Sequence, residues 1–222
     1  MHAHSTLAAI ISALLTGTAL IAGCAATRTG PYTAQAEVDR NAAEAQRLTA
    51  QAAEILDTLR TATRQAPTAN LLNPAADEQR RTAELAKAEH LLRDALTADL
   101  YHGPAHNNLG VVYLQMNPPK LYEAAGEFEW ARKLMPGHPD PRVHLAIALE
   151  RGGKPDDALA SYHSALEIYP DYLPAMQGLI RLQLRRGKSD ADTTHTLAEI
   201  ALRGSTPQWR EWAQRELLRR GS

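Results

Sequence analysis

An all-α fold, an α-solenoid of stacked helix hairpins preceded by one long amphipathic helix, is predicted by three observations. Four markers recur 34 residues apart: Ala124 and Ala158, Phe128 and Tyr162, Ala131 and Ala165, Pro136 and Pro170. A shared period of that length belongs to helical units that bury their faces on one another. Strand patterning is nearly absent, with no alternating β-branched run bounded by turn residues. From 33 to 66, finally, no Gly or Pro interrupts a stretch dominated by helix-forming Ala, Gln, Glu, Arg and Leu.

With 222 residues, 44% hydrophobic and 22% charged, the chain can bury a core and lies far from disordered compositions. Its formal net charge of −1 argues against nucleic acid as a partner, which would need a strong basic excess. All 24 Lys and Arg and all 25 Asp and Glu follow Cys24, so residues 1–23 are uncharged and form a unit of their own.

Residues 7–22 are apolar and end in small side chains directly before Cys24, the single cysteine. The run is short for a membrane span, which needs about 20 residues. The end of this run, Leu20-Ile21-Ala22-Gly23-Cys24, resembles a bacterial lipobox. That resemblance implies cleavage before Cys24 and lipidation of its thiol. Ala25, where Asp is absent, implies passage to the outer membrane, with the protein facing the periplasm. The opening residues carry His2 and His4 but neither Lys nor Arg, a departure from the usual positive start. An ordinary secretory signal with a chance cysteine, or an uncleaved short anchor, are the alternatives. A lone cysteine in an exported domain leaves no internal disulfide.

Residues 24–32 read as a tether, punctuated by Gly30-Pro31. The helix expected over 33–66 carries a heptad stripe: Val38, Ala45, Ala52, Leu59 and Ala66 at one position, Asn41, Leu48, Ile55 and Ala62 at the other. So much alanine gives little burial to a free-standing coiled coil. Packing along the repeats is therefore favoured over self-association or a solvated stalk. Residues 67–73 form a linker, and Asn73-Pro74 followed by Asp77 and Glu78 marks the next helix start. In 74–102, Ala88, Leu92 and Ala95 precede Ala124, Phe128 and Ala131 by 36 residues. No helix-breaking turn divides the first half of this segment, so it is expected to be an incomplete first repeat.

Residues 103–136 carry Leu109, Gly110, Tyr113, Ala124, Phe128, Ala131 and Pro136. Residues 137–170 carry Leu145, Ala146, Leu149, Gly153, Ala158, Tyr162, Ala165 and Pro170. This pattern resembles the tetratricopeptide repeat (TPR) family, with His106 and Arg142 in place of its Trp and a two-residue insertion at Asn117-Pro118-Pro119. Small residues let the two helices of a hairpin approach, the larger ones fill the space between hairpins, and Pro136 and Pro170 end the second helices. In 171–204 the unit is degenerate, because Asp192, Thr196 and Glu199 hold the Ala, Phe and Ala positions. Leu197, Ile200 and Ala201 point to a shifted register there. Residues 205–222 resume the period and read as a capping helix buried through Trp209, Ala213 and Leu217.

Chemistry has few candidates. Gly152-Gly153-Lys154 lacks the remaining glycine and hydroxyl of a phosphate loop and reads as an inter-helix turn. His102 and His106 flank Gly103-Pro104 without an acidic third ligand and read as solvated turn side chains. No nucleophile elbow occurs, and no catalytic residue, metal or cofactor is implied.

In the resembled family the inner face is lined by the first helix of each unit. Carried over by register, that implies Asn107, Val111 and Gln115, then Val143, Ile147 and Arg151, then Gln177, Arg181 and Arg185, with Arg219 continuing the line. Arg151, Arg185 and Arg219, 34 apart, are expected to form a basic ladder suited to carboxylates. Solvated arginines that complement helix C-termini are the alternative. The Lys and Asn set of a carboxylate clamp is missing.

The expected function is a lipid-anchored periplasmic scaffold that binds a protein or an extended peptide, an acidic one if the ladder takes part. An assembly factor similar to pilotin lipoproteins of pili or secretion complexes, and an accessory subunit or hydrolase of the envelope, are the alternatives. The oligomeric state is left open.

Overall fold

In a computed structural model of the chain, residues 41–65, 74–188 and 192–221 are described. The expected lipobox with Cys24, the expected tether, positions 33–40 and 66 of the expected first helix, and the expected 67–73 linker lie outside them. The described helices are α1 (Ala42–Gln65), α2 (Pro74–Ala98), α3 (Gly103–Gln115), α4 (Leu121–Leu134), α5 (Asp140–Arg151), α6 (Pro155–Ile168), α7 (Leu173–Arg185), α8 (Asp192–Arg203) and α9 (Pro207–Gly221).

Asn41 caps α1: its Oδ1 accepts the Glu44 N–H at 3.0 Å, so the described helix opens at Ala42. The alanine-rich stripe is then buried through Ala45, Leu48, Ala52 and Leu59, with Ile55 and Leu56 half-buried beside them. Its partner is α2. The two helices run antiparallel, since the Asn41 N–H donates to the Ala98 carbonyl at 2.9 Å, joining the start of one to the end of the other. The 74–102 segment, expected to lack a partner, therefore has one. The helix break lies before Pro74, so α2 is the second helix of its pair. Ala88, Leu92 and Ala95 of α2 are fully buried, as their match to Ala124, Phe128 and Ala131 requires.

The central hairpins α3–α4 and α5–α6 follow the marker residues. Ala124, Phe128 and Ala131 on α4 are fully buried, as are Ala158 and Ala165 on α6; Tyr162 is 1% exposed. Each ring is a wedge that demands a missing side chain opposite it. A Cβ added to Gly110 would stand 2.5 Å from the Phe128 ring, and one added to Gly178 would stand 2.3 Å from the Tyr162 ring. Phe128 also meets the His144 ring at 5.3 Å between centroids. Gly178 is 34 residues after His144, so the longer tyrosine occupies the room that the imidazole takes one repeat earlier.

The turns repeat as faithfully as the wedges. After α5, the Lys154 N–H reaches the Leu149 carbonyl at 2.9 Å around Gly153, whose φ is +75°. After α7, Lys188 N–H reaches the Gln183 carbonyl at 3.0 Å around Gly187, φ +67°. A left-handed glycine closing the helix end is a backbone device, and it confirms the Gly152-Gly153-Lys154 segment as a turn.

The third unit departs as its sequence announces. On α8 the fully buried residues are Thr193, Leu197 and Ile200, each one position after Asp192, Thr196 and Glu199. The spacing of four then three is kept and the phase slips by one residue. Leu197 and Ile200 share a core with Ile180 of α7 and Ala213 of α9, and Trp209, Trp212 and Leu217 are partly buried against it. The last helix thus closes the stack.

Gly178→Ala is expected to lower stability by about 1–3 kcal/mol, because the buried Tyr162 ring has no room to withdraw. Gly126→Ala, on the outer side of α4 with nothing within 4 Å of the added carbon, is expected to raise it by about 0.5–1 kcal/mol. Urea unfolding of the two variants measures both; equal effects would show that the wedge is not tight.

Candidate functional site

The first helices of successive pairs, α1, α3, α5 and α7, lie side by side and form the inner wall. Between α1, α3 and the start of α5 is a cleft of about 640 Å³. Asn107, Val111 and Gln115, the first three inner-face candidates, line it together with Asn108 and His144. The opposite wall is α1, through Ala53, Leu56, Asp57, Arg60 and Thr63, with Arg81 of α2 at one end. The sequence favours packing of the 33–66 helix along the repeats, but the inner-face set carried over by register includes none of its residues. The stripe of Ala45, Leu48, Ala52 and Leu59 marks the buried side, and no local signal marks Ala53, Leu56 and Asp57 as lining a cleft with α3.

Amide groups dominate the cleft floor, and they are held in place. His144 Nδ1 and Asn107 Oδ1 are 2.8 Å apart, Asn107 Nδ2 donates to Asn108 Oδ1 at 3.3 Å, and Arg81 donates to Gln115 Oε1 at 3.0 Å. Burial pushes the His144 imidazole below its ordinary pKa, which favours the neutral ring. Side-chain amides carry donors and an acceptor together and so match a peptide backbone, while Ala53, Leu56 and Val111 offer small apolar contact.

Farther along, the candidates divide. Val143 and Gln177 are buried, 5% and 4% exposed, and do not face the groove. Val143 packs in the second core, and Gln177 accepts a bond from Ser205 while its Nε2 is buried without a partner. Register transfer placed them wrongly because neighbouring elements cover them: residues of α6 and α7 pack on Val143, and Ser205, in the segment between α8 and α9, bonds Gln177. Ile147 is half-buried against the same cores.

The arginines are engaged within the chain. Arg151 donates to the Leu114 carbonyl at 2.8 Å, bridging α5 to the end of α3. Arg181 grips Glu150 with two bonds of 2.8 Å, and Arg185 adds a third at 3.0 Å, bridging α7 to α5. The Glu150 side chain is 11% exposed, and the Tyr162 hydroxyl donates to it at 3.4 Å. Burial, then the Glu150 charge, push the Tyr162 phenol up to about 12. Arg219 pairs with Glu216 of its own helix at 3.1 Å. Two rungs of the ladder, Arg151 and Arg185, therefore strap neighbouring inner helices, and Glu150, which the sequence reading did not single out, is the common acceptor of Arg185 and Arg181. Arg185 remains 61% exposed at the groove surface.

The histidines differ from expectation. His106 is 4% exposed, not solvated: its Nδ1 lies 2.6 Å from Glu127, its Nε2 lies 2.9 Å from the Leu100 carbonyl, and its ring stacks on Trp130 at 5.8 Å. It fills the position at which the resembled repeat pattern carries tryptophan, and buried polar atoms must be paired, which explains both partners. His102 is half-buried, and burial lowers its pKa. Among the described residues, no group of three or more His, Cys, Asp or Glu is placed to hold a metal ion. No described helix is long and apolar enough to cross a membrane.

No protein-family model matches the chain, and no curated protein matches it. Solved structures do. The first TPR of Spaghetti (RPAP3), bound to the HSP90 peptide SRMEEVD, matches with TM-score 0.53 and 14% identity over 68% of this chain and 99% of that one. TTC0263, a thermophilic TPR protein of Thermus thermophilus, matches with TM-score 0.53 and 15% identity over 78% of this chain and 99% of its own. An O-GlcNAc transferase of Thermobaculum terrenum matches with TM-score 0.54 and 21% identity over 72% of this chain, but only 26% of that enzyme. The fold is an α-solenoid of helix hairpins. Its hairpins are of the tetratricopeptide type.

Glu150→Ala should cost on the order of 2 kcal/mol, since it leaves Arg181 half-buried without its acceptor while solvent screens part of the loss. Tyr162 adds a pH signature. Its folded pKa lies above the ordinary value of about 10, so its contribution is complete below that pH and is lost as pH rises toward the folded value. Tyr162→Phe should flatten this alkaline decline in thermal unfolding; an unchanged slope would disprove the assignment. His144 and His102 act with the opposite sign: stability should fall as pH drops below about 6.5.

Proposed function

We propose that this chain is a lipid-anchored scaffold of the bacterial envelope that takes an extended segment of a partner protein along its inner face. Lipidation of Cys24 would hold it at the outer membrane, facing the periplasm. The observation that carries the binding role is the cleft between α1, α3 and α5, where ordered amides of Asn107, Asn108 and Gln115 flank apolar Ala53, Leu56 and Val111. A volume of about 640 Å³ suits a few residues of extended chain.

Backbone groups of the partner would meet the amides, and small apolar side chains would meet Leu56 and Val111. An acidic residue farther along would meet Arg185, whose guanidinium carries donors beyond the one engaged by Glu150. The peptide held by the RPAP3 repeat, SRMEEVD, is likewise short and acidic, which supports this class of partner.

A photo-crosslinking residue at Val111, compared in living cells with one at the outward Ala160 of α6, tests the reading. A discrete adduct identified from Val111 and missing from Ala160 is expected, and equal labelling of both positions would overturn the inner face as the site. Palmitate labelling should disappear in Cys24→Ala; retention of label would remove the anchor.

A further inference from the structure

Seven large hydrophobic residues are exposed among the described residues, and four of them, Leu100, Tyr101, Tyr122 and Trp130, gather around one hairpin. Tyr122 is 90% exposed and Trp130 is 49% exposed, both on α4. At 3.6 residues per turn, Tyr122, Gly126, Trp130 and Lys133 fall within one outward sector of about 80°. A carbon added at Gly126 would meet nothing within 4 Å, so this sector is open. The α2–α3 loop joins the patch at its far end. The Leu100 carbonyl holds His106, whose other side stacks on Trp130, and Gly103 is packed against Leu134 and Met135. The Lys133 ammonium lies 5.7 Å from the centre of the Trp130 ring.

The geometry points to this convex face of the α3–α4 hairpin as a docking surface for the membrane interface, an inference that rests on the reading of Cys24 as the lipid anchor. Three observations select a bilayer. The chain enters the solenoid beside the patch, because the Asn41 N–H is bonded to the Ala98 carbonyl, two residues before Leu100. Only residues 25–40 separate Asn41 from the lipidated cysteine, a reach of at most about 55 Å when fully extended. The side chains also have the interfacial character: Trp and Tyr place an apolar body against acyl chains and a polar end among headgroups, and Lys133 adds a cation for anionic lipid. A membrane on the α4 side leaves the cleft on the α1, α3 and α5 side open to the periplasm.

The test uses the full lipoprotein reconstituted into phosphatidylethanolamine and phosphatidylglycerol vesicles that carry a nitroxide in the upper acyl chain. The chain has three tryptophans, so Trp209→Phe with Trp212→Phe leaves Trp130 as the reporter, and Trp130→Phe leaves the other two. Trp130 emission should be at least halved while the pair on α9 keeps its intensity. Hydroxyl-radical footprinting gives a second measurement that needs no substitution: Tyr122 should be protected in the lipoprotein on vesicles and not in the mature chain made without its acyl groups, in buffer free of detergent. A protein that floats with the vesicles but shows neither quenching of Trp130 nor protection of Tyr122 overturns the docking surface and leaves the anchor intact. Protection already present in the mature chain made without its acyl groups, in buffer free of detergent, identifies a second copy as the occupant and also overturns it. A protein that does not float refutes the anchor, and the docking surface with it.

Discussion

A buried ring that requires an empty place opposite it organises this solenoid. Phe128 sits against Gly110 within its own hairpin and meets the next at His144, Tyr162 sits against Gly178 of the next hairpin, and both rings are sealed from solvent where the glycines present bare backbone to them. Interiors packed at this density leave a displaced ring nowhere to go. The gaps lie on opposite sides in sequence, before Phe128 and after Tyr162, so what repeats is the ring itself, 34 residues on, together with the small residues at Ala124, Ala131, Ala158 and Ala165. The glycine-closed turns at Gly153 and Gly187 keep the same interval. Leu197 takes the wedge position in α8, one residue out of phase, and the helix that follows closes the stack by packing on α8.

The wedge also reaches the inner face. Tyr162 is long enough for its hydroxyl to touch Glu150, so a residue of the core bonds to the acceptor of Arg181 and Arg185. Straps of one kind recur along that face: His144 to Asn107, Arg151 to the Leu114 carbonyl, and Arg181 with Arg185 to Glu150. Each crosses from one inner helix to the previous one. Exposed ion pairs contribute about 0–1 kcal/mol, so the outer members of this set fix the angle between helices more than they stabilise the fold.

The fold was readable in sequence wherever a local rule operates. Marker residues three and four apart place themselves on one helix face, and a left-handed turn leaves a glycine at a fixed offset. The slipped register of α8 was readable for the same reason, from Leu197 and Ile200. What escaped depends on partners distant in sequence. The stripe of α1 declares a buried side without naming α2, and nothing near Glu150 shows that two arginines of the next repeat converge on it. The arginine spacing was visible, but whether a guanidinium faces solvent or a carbonyl across the wall is decided by the neighbouring helix. His106 was misread because a histidine beside Gly103-Pro104 resembles a loop residue until Trp130 and Glu127 close over it.

The straps alter what the inner face can recognise. Arg151 and Arg181 are directed at groups of this chain, so the cationic character expected along the whole ladder contracts toward Arg185. At the α1 end recognition passes to the amides of Asn107, Asn108 and Gln115, which bind backbone without regard to charge. A ligand lying along this wall would therefore be read by its extended conformation at one end and by a single acidic residue at the other. Glu150 sets the distance between the two, because it holds α7 to α5 and so fixes how far Arg185 stands from the cleft.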